Sequence, residues 1–216
     1  MLLQEIFNKI FDANEFQSAK HASYSQQNPF YKLFDKDIPR SMKTIVNQLQ
    51  YPLTIAYECK GSIGAGVLAD TFWFNIMNPN ITIDPQKGAY IVYLVSPTGK
   101  SIHLCLIQST GIIMSESQLE QIKSRLLERS EKIQDVFRQS LVEQGCLDAL
   151  DKFKFGPINL GMAPSLTSRA YEAAVILSKM YVKSNGVPTE TDLREDLKAM
   201  LDVYKRYYTL KRMGKV

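Results

Sequence analysis

The chain has 216 residues, of which 45% are apolar and 22% are charged, so it can bury a substantial core, as globular proteins do. No apolar run approaches the ~20 residues that span a bilayer, and the acidic, amphipathic start is unlike a signal peptide, so we expect a cytoplasmic protein. Three widely spaced cysteines and two histidines argue against a structural zinc site and a disulfide framework. A net charge of +4 is too modest to indicate a polyanionic partner by itself.

The first 50 residues predict helices. Residues 2–20 carry apolar side chains at helical spacing, which predicts an amphipathic helix. Pro29 and Pro39 interrupt the following segment, and a short helix is expected over residues 41–50. Residues 1–40 are therefore expected to form an N-terminal helical extension.

The middle of the chain predicts strands. Apolar and polar side chains alternate over residues 51–59, which is typical of a half-buried strand. Three further short apolar runs, at residues 72–77, 89–96 and 101–108, are separated by turn sequences rich in proline and glycine. These runs predict a mostly antiparallel central sheet of at least four strands.

The last hundred residues return to helical spacing. We predict a long helix from Ser117 to near Gly145 and a helix over residues 169–182. A final helix is predicted to begin at Thr189, with apolar residues at helical spacing over residues 193–208. Residues 152–164 contain glycines and prolines and predict a loop or an irregular strand. Without a repeat or a low-complexity linker, the chain is expected to form a single α+β domain over residues 1–216.

The segment KGSIGAGVLADTFWF, residues 60–74, concentrates glycines before the single tryptophan. Its spacing matches neither a P-loop nor a dinucleotide-binding motif, because no helix is predicted after the glycines. We expect a flexible loop followed by a strand in which Trp73 faces away from Phe72 and Phe74. On the third strand Tyr90 and Leu94 share a face and could form an aromatic slot with Trp73, which suits a flat heterocycle. The alternative is that these side chains are ordinary core.

Two other functions stay open at this point. Glu58 and Lys60, with Asp35 or Asp37, resemble part of a metal-dependent nuclease site. The apolar face of the last predicted helix could instead dock a partner, which would make the chain a protein–protein interaction module.

Two blocks of sequence resemble a known family. The run GSIGAGVLADTFWFNI, residues 61–76, is followed by KGAYIVYL, residues 87–94, and together they resemble the N-terminal DNA-recognition domain of McrB-like, methylation-dependent restriction proteins. A second block is similar to the wider family through INLG, SRAYE, KMY and DLKAMLDVY, within residues 158–204. The resemblance covers roughly residues 40–210.

The resemblance implies a noncatalytic module, without a cofactor, that binds double-stranded DNA carrying 5-methylcytosine and flips the modified base into a pocket. A motor module in the longer protein and a separate nuclease subunit would supply the enzymatic activities in antiviral defence. By position, the pocket would contain Trp73, Tyr90, Leu94 and Phe155, and the loop Ser62, Ile63, Gly64, Ala65 and Gly66 would enter the DNA groove. Ala65 stands where a relative has an aromatic wedge, so either Ile63 or Leu68 fills the gap in the stack or base flipping is weaker in this chain.

Phosphate contacts are expected from lysines, which would give salt-sensitive and sequence-independent affinity. The candidates are Lys60, Lys87, Lys100, Lys152 and Lys154.

Overall fold

The computed structural model describes residues 1–50, 55–111, 113, 115–143, 151–161 and 165–216, without the side chains of residues 141–143. The predicted strand at residues 51–59 lies partly outside this description, and its residues 55–57 are not in a strand. Tyr57 is buried, and its ring centroid lies 6.3 Å from that of Tyr204 in the last helix. The alternating apolar pattern therefore ends in a connection anchored to the core, and the first strand begins only at Glu58.

Within the described residues, six strands form one antiparallel sheet, and the predicted α+β architecture is confirmed. The strands are Glu58–Gly64 (β1), Leu68–Met77 (β2), Ala89–Val95 (β3), Ser101–Gln108 (β4), Lys154–Phe155 (β5) and Val175–Val182 (β6). Their spatial order is β1-β2-β3-β4-β6-β5. The first four strands pair in chain order because short turns join antiparallel neighbours, whereas β6 returns from a distant part of the chain to pair with β4.

The N-terminal residues form a layer of short helices. They are Leu3–Phe11 (α1), Ala13–His21 (α2), Pro29–Lys32 (α3) and Ile38–Leu49 (α4), with a π-helical turn at Leu33–Asp37. The single helix predicted for residues 2–20 is interrupted at Asp12, whose backbone is extended. The Asp12 carboxylate accepts the amide N–H groups of Asn14 and Glu15, both at 2.9 Å, and so caps α2.

These helices cover one face of the sheet with aromatic side chains. The ring of Phe72 lies 5.7 Å from that of Phe16 and 5.6 Å from that of Phe34, and Phe74 stacks on Tyr93 at 4.6 Å. All five side chains are buried, and burial of each stabilises the fold by roughly 1.5–3 kcal/mol. The first 40 residues are thus packed into the core of the domain.

The C-terminal half contributes helices Glu116–Glu143 (α5), Leu166–Ala174 (α6) and Glu190–Arg212 (α7). As predicted, Thr189 begins the last helix, with its hydroxyl accepting the N–H of Asp192 at 3.2 Å. Helix α7 packs on the face of the sheet that carries Phe72 and Phe74, called the phenylalanine face below. Its Tyr204 hydroxyl donates to the carbonyl of Ala89 at 2.7 Å and accepts the N–H of Asn78 at 3.1 Å.

The helix predicted for residues 169–182 is wrong in its second half, where the structure has β6. Val175, Ile176 and Leu177 are all buried, and a continuous apolar run does not distinguish a buried strand from a buried helix. The backbone hydrogen bonds offered by β4 favour the strand. The sequence 152–164, predicted as a loop or irregular strand, contributes the two-residue edge strand β5.

The second face of the sheet carries a different set of side chains. Trp73 lies opposite Ser62 on β1 and Leu94 on β3. Because successive residues of a strand point to opposite faces, Trp73 faces away from Phe72 and Phe74, as predicted.

Candidate functional site

A cavity of about 530 Å³ opens on this second face of the sheet, above β1, β2 and β3. It is bounded by the hairpin that joins β1 to β2, by the loop from β2 to β3, and by the first turns of α6. The aromatic side chains that line it are Trp73, Tyr90 and Tyr171. Its volume falls in the range of roughly 300–1,000 Å³ that is typical of small-molecule sites.

Trp73 is half-buried, so part of its indole is available to an occupant of the cavity. Tyr90 also lines the cavity and is 4% exposed. Leu94, directly opposite Trp73 in the neighbouring strand, is buried and does not line the cavity. It packs beside the indole and supports it, because paired residues of antiparallel strands bring their side chains together.

The β1–β2 hairpin forms one rim of the cavity and corrects the expected flexible loop, since Gly61 to Gly64 belong to β1. The Ser62 hydroxyl donates to the carbonyl of Gly64 at 2.9 Å and accepts its N–H at 3.0 Å, which fixes the turn. Gly64 has a φ of +143°, and a side chain there would overlap the carbonyl of Val67. Glycine is therefore required at this position.

The tip of the hairpin is exposed at Ala65, Gly66 and Val67, and the Val67 side chain is 74% exposed. Ile63, expected as a possible wedge, is 3% exposed and belongs to the core. Leu68 is half-buried in the cavity wall. Of the apolar side chains near the tip that are larger than alanine, Val67 is thus the exposed one.

Hydrogen bonds tie the α6 wall of the cavity to β2. The hydroxyls of Thr71 and Ser168 lie 2.9 Å apart, and the N–H of Ser165 donates to the Asp70 carboxylate at 3.0 Å. Ser165 also caps α6 by accepting the N–H of Ser168 at 3.3 Å. The first two contacts join residues 97 and 95 positions apart in the chain.

Lys20 of α2 holds the same part of β2 from the other side. Its ammonium donates to the carbonyls of Ala69 at 2.9 Å and of Asp70 at 2.5 Å. Burial lowers the pKa of Lys20, and the charge of Asp70 opposes this change. These two hydrogen bonds therefore attach α2 to the strand that carries Trp73.

The polar groups of Asp84, Tyr90 and Tyr171 line the cavity near the junction of the β2–β3 loop and β3. Burial, together with the charges of Tyr171 and Asp84, raises the pKa of the Tyr90 hydroxyl, and burial raises that of Tyr171 to about 12. Neither hydroxyl has a hydrogen-bond partner among the described residues. One oxygen of Asp84 accepts the N–H of Gln86 at 2.9 Å, and the other lies 3.8 Å from the ammonium of Lys87.

The structure does not bring Phe155 to this cavity. Four residues lie directly opposite one another in successive neighbouring strands: Phe155 on β5, Leu177 on β6, Leu106 on β4 and Ile91 on β3. Directly paired side chains share a face, and Ile91 lies on the phenylalanine face. The guanidinium of Arg138 on α5 covers the Phe155 ring at 4.8 Å from its centroid.

The five candidate lysines are not on one surface. Lys60 and Lys87 lie at the cavity rim: Lys60 is two residues before Ser62 and donates to the carbonyl of Ile83 at 2.8 Å, and Lys87 follows Gln86. Lys100 lies in the β3–β4 turn, beside a separate groove near α2. Lys152 and Lys154 flank the outer edge of the sheet, where Lys152 is 4.0 Å from Glu195.

The two alternative functions find little support in the described residues. Glu58 pairs with Lys43 at 3.3 Å, and the described part of the chain contains no cluster of three acidic, histidine or cysteine side chains able to hold a metal ion. The apolar residues of α7, including Leu193, Leu197 and Leu201, are buried in the core and are not free to dock a partner. No described helix is both long and apolar enough to cross a membrane.

Comparison with curated proteins returned no match. A family model described as the MrcB-like N-terminal domain matches residues 13–209, nearly the whole chain, and it takes in most of the helices before residue 40. The chain therefore belongs to the MrcB-like N-terminal domain family, which comprises the N-terminal part of McrB-like restriction proteins.

Proposed function

We propose that this domain binds double-stranded DNA without cutting it and encloses an extruded 5-methylcytosine in the cavity beside Trp73. The observation that carries the proposal is the half-buried indole in an open recess, next to an exposed hairpin tip. Membership of the MrcB-like N-terminal family supports a recognition role in a restriction system.

The cavity suits a flat, mostly apolar ring with a polar edge. Stacking of a base on an aromatic side chain contributes roughly 1–3 kcal/mol, and Trp73 offers such a surface. Tyr90 and Tyr171 add further aromatic wall, and their hydroxyls can hydrogen-bond to the polar edge of a base. Extrusion of a base costs a few kcal/mol, so these contacts are needed to offset it.

The hairpin tip is the part of the molecule that would enter the DNA beside the extruded base. Ala65 is too small to fill the space that an extruded base leaves, but Val67 is exposed at the same tip. Apolar side chains insert between base steps in many DNA-binding proteins. Val67 therefore takes the part of the wedge in this proposal, in place of Ile63 or Leu68.

The methyl group and the phosphates would contribute separately to binding. Burial of one methyl group contributes ~0.8 kcal/mol, so the preference for 5-methylcytosine over cytosine is only a few-fold. Lys60 and Lys87 lie at the rim, and in this proposal they contact the phosphates near the cavity. Each such contact makes the affinity fall as salt rises.

The motor module and the nuclease subunit implied by the family remain partners of the proposed recognition domain. They would supply nucleotide hydrolysis and DNA cleavage to a module that itself only recognises DNA.

Binding of the purified chain to matched duplexes with 5-methylcytosine or cytosine at one central position tests the proposal. At low and moderate salt we expect binding of both, a few-fold preference for the methylated duplex, and weaker affinity at the higher salt. Absence of binding to either duplex at low salt would rule the proposal out. Cleavage of plasmid DNA by the chain in the presence of Mg²⁺ would instead favour the nuclease alternative.

A further inference from the structure

The charge of the cavity is opposite to that of a phosphate site. Among the described residues that line it, the charged ones are the carboxylates of Asp70 and Asp84. Carboxylates repel phosphate groups and accept hydrogen bonds from amino groups. The cavity therefore favours a neutral ring that presents an N–H donor.

The two carboxylates differ in what they already bind. Asp70 accepts the N–H of Ser165 at the start of α6, and its backbone carbonyl accepts from Lys20, so this residue holds the wall of the cavity in place. The Asp84 carboxylate accepts only a local hydrogen bond, from the N–H of Gln86, and its second oxygen lies 3.8 Å from the ammonium of Lys87; the side chains of Asp84 and Lys87 are 42% and 80% exposed. Asp84 thus retains acceptor capacity toward the cavity.

Tyr90 marks the same end of the cavity as a place for a polar partner. Its side chain is 4% exposed, it lines the cavity, and its hydroxyl has no hydrogen-bond partner among the described residues. Asp84 is close enough for its charge to act on that hydroxyl. The hydroxyl oxygen itself is accessible from the cavity, so it is free to hydrogen-bond to an occupant.

We propose that the cavity selects a base with an exocyclic amino group and that Asp84 accepts a hydrogen bond from that group. This inference rests on the proposed function and names the chemical feature of the base that is recognised. Cytosine presents such an amino donor, and Asp and Glu are the side chains that accept from it. Thymine carries the same ring methyl as 5-methylcytosine but has a carbonyl in place of the amino group, so it would face Asp84 with a second acceptor.

The test compares two duplexes that differ only at the central base, 5-methylcytosine or thymine, each opposite guanine. Extrusion of the mismatched thymine costs less, so a preference for 5-methylcytosine cannot come from easier flipping. We expect the unmodified protein to bind the 5-methylcytosine duplex at least about tenfold more tightly than the thymine duplex. Asp84→Asn, whose amide both donates and accepts, should reduce this ratio to less than about threefold by gaining affinity for thymine. A gain of binding cannot result from misfolding.

Asp135→Asn is the matched control, because it removes an equal charge from an exposed position on α5 and should leave the ratio unchanged. Equal binding of both duplexes by the unmodified protein, or an unchanged ratio in Asp84→Asn, would overturn this inference while leaving the proposed function intact. Failure of the unmodified protein to bind any duplex would overturn the proposed function and this inference together.

Discussion

The hydroxyl of Thr71 on β2 lies 2.9 Å from the hydroxyl of Ser168 on α6. Both residues are buried, and they join the strand that carries Trp73 to the helix that closes the cavity. The shape of the recess thus depends on a contact between residues 97 positions apart in the chain.

Thr71→Val tests this link. The change keeps the shape of the side chain but removes one partner of a buried hydrogen bond. Ser168 retains its bond to Ser165, so we expect the free energy of unfolding to fall by only about 1 kcal/mol. Chemical denaturation measures the change. Thr209→Val, at an exposed position of α7, is the control and should stay within about 0.5 kcal/mol of the unmodified protein.

Trp73→Ala tests the stacking surface. Loss of a base–aromatic contact of about 1–3 kcal/mol should weaken binding of the methylated duplex by roughly 5- to 150-fold. Because the indole is half-buried, the protein should remain folded, which circular dichroism would establish. Tyr208→Ala removes a half-buried aromatic side chain far from the cavity and should leave DNA affinity unchanged. Equal affinities of Trp73→Ala and the unmodified protein would show that the indole does not contact the base.

Val67→Ser tests the hairpin wedge. The side chain is 74% exposed, so its replacement should alter stability by less than about 0.5 kcal/mol. DNA affinity should fall several-fold, and Val67→Phe should restore or exceed it, because a larger apolar side chain fills the stack better. Fluorescence of a 2-aminopurine placed beside the methylated base reports extrusion directly. Met213→Ser, at an exposed apolar position just after α7, serves as the control. A Val67→Ser protein with unaltered affinity and fluorescence would exclude the wedge.

His103 predicts how stability depends on pH. Its side chain is 2% exposed on β4, and burial lowers its pKa from 6.5 to about 4. As the pH falls below 6.5 the unfolded chain takes up the proton first, so the contribution of this group to stability is complete above pH 6.5 and is lost between pH 6.5 and about 4. The loss should reach roughly 3 kcal/mol.

Measurement of unfolding by urea across that pH range checks the prediction. In His103→Gln the part of the pH dependence due to this residue should disappear. His21→Gln, which removes the other histidine of the chain, should retain it. The same pH dependence in both variants would show that His103 does not cause it.

The sequence by itself determined the local features of the site. Alternation along β2 placed Trp73 opposite to Phe72 and Phe74, and the turn sequences separated β2, β3 and β4 correctly. These features were predictable because turn sequences punctuate the apolar runs and because successive residues of any strand point to opposite faces. The beginning of α7 at Thr189 was likewise predicted, since the cap and the first turn are adjacent in sequence.

Tertiary structure alone decided which residues meet. The strand β6 appears in place of a predicted helix because β4 offers it hydrogen bonds, and the register of β5 on β6 sends Phe155 to the face away from the cavity. Ile63 is in the core and Val67 is exposed because the hairpin turns at Gly64, which the spacing of apolar residues does not specify. Asp70, Asp84 and Ser168 lie around one recess only because separate segments pack on one sheet face, and contacts between such distant segments leave no period in the sequence.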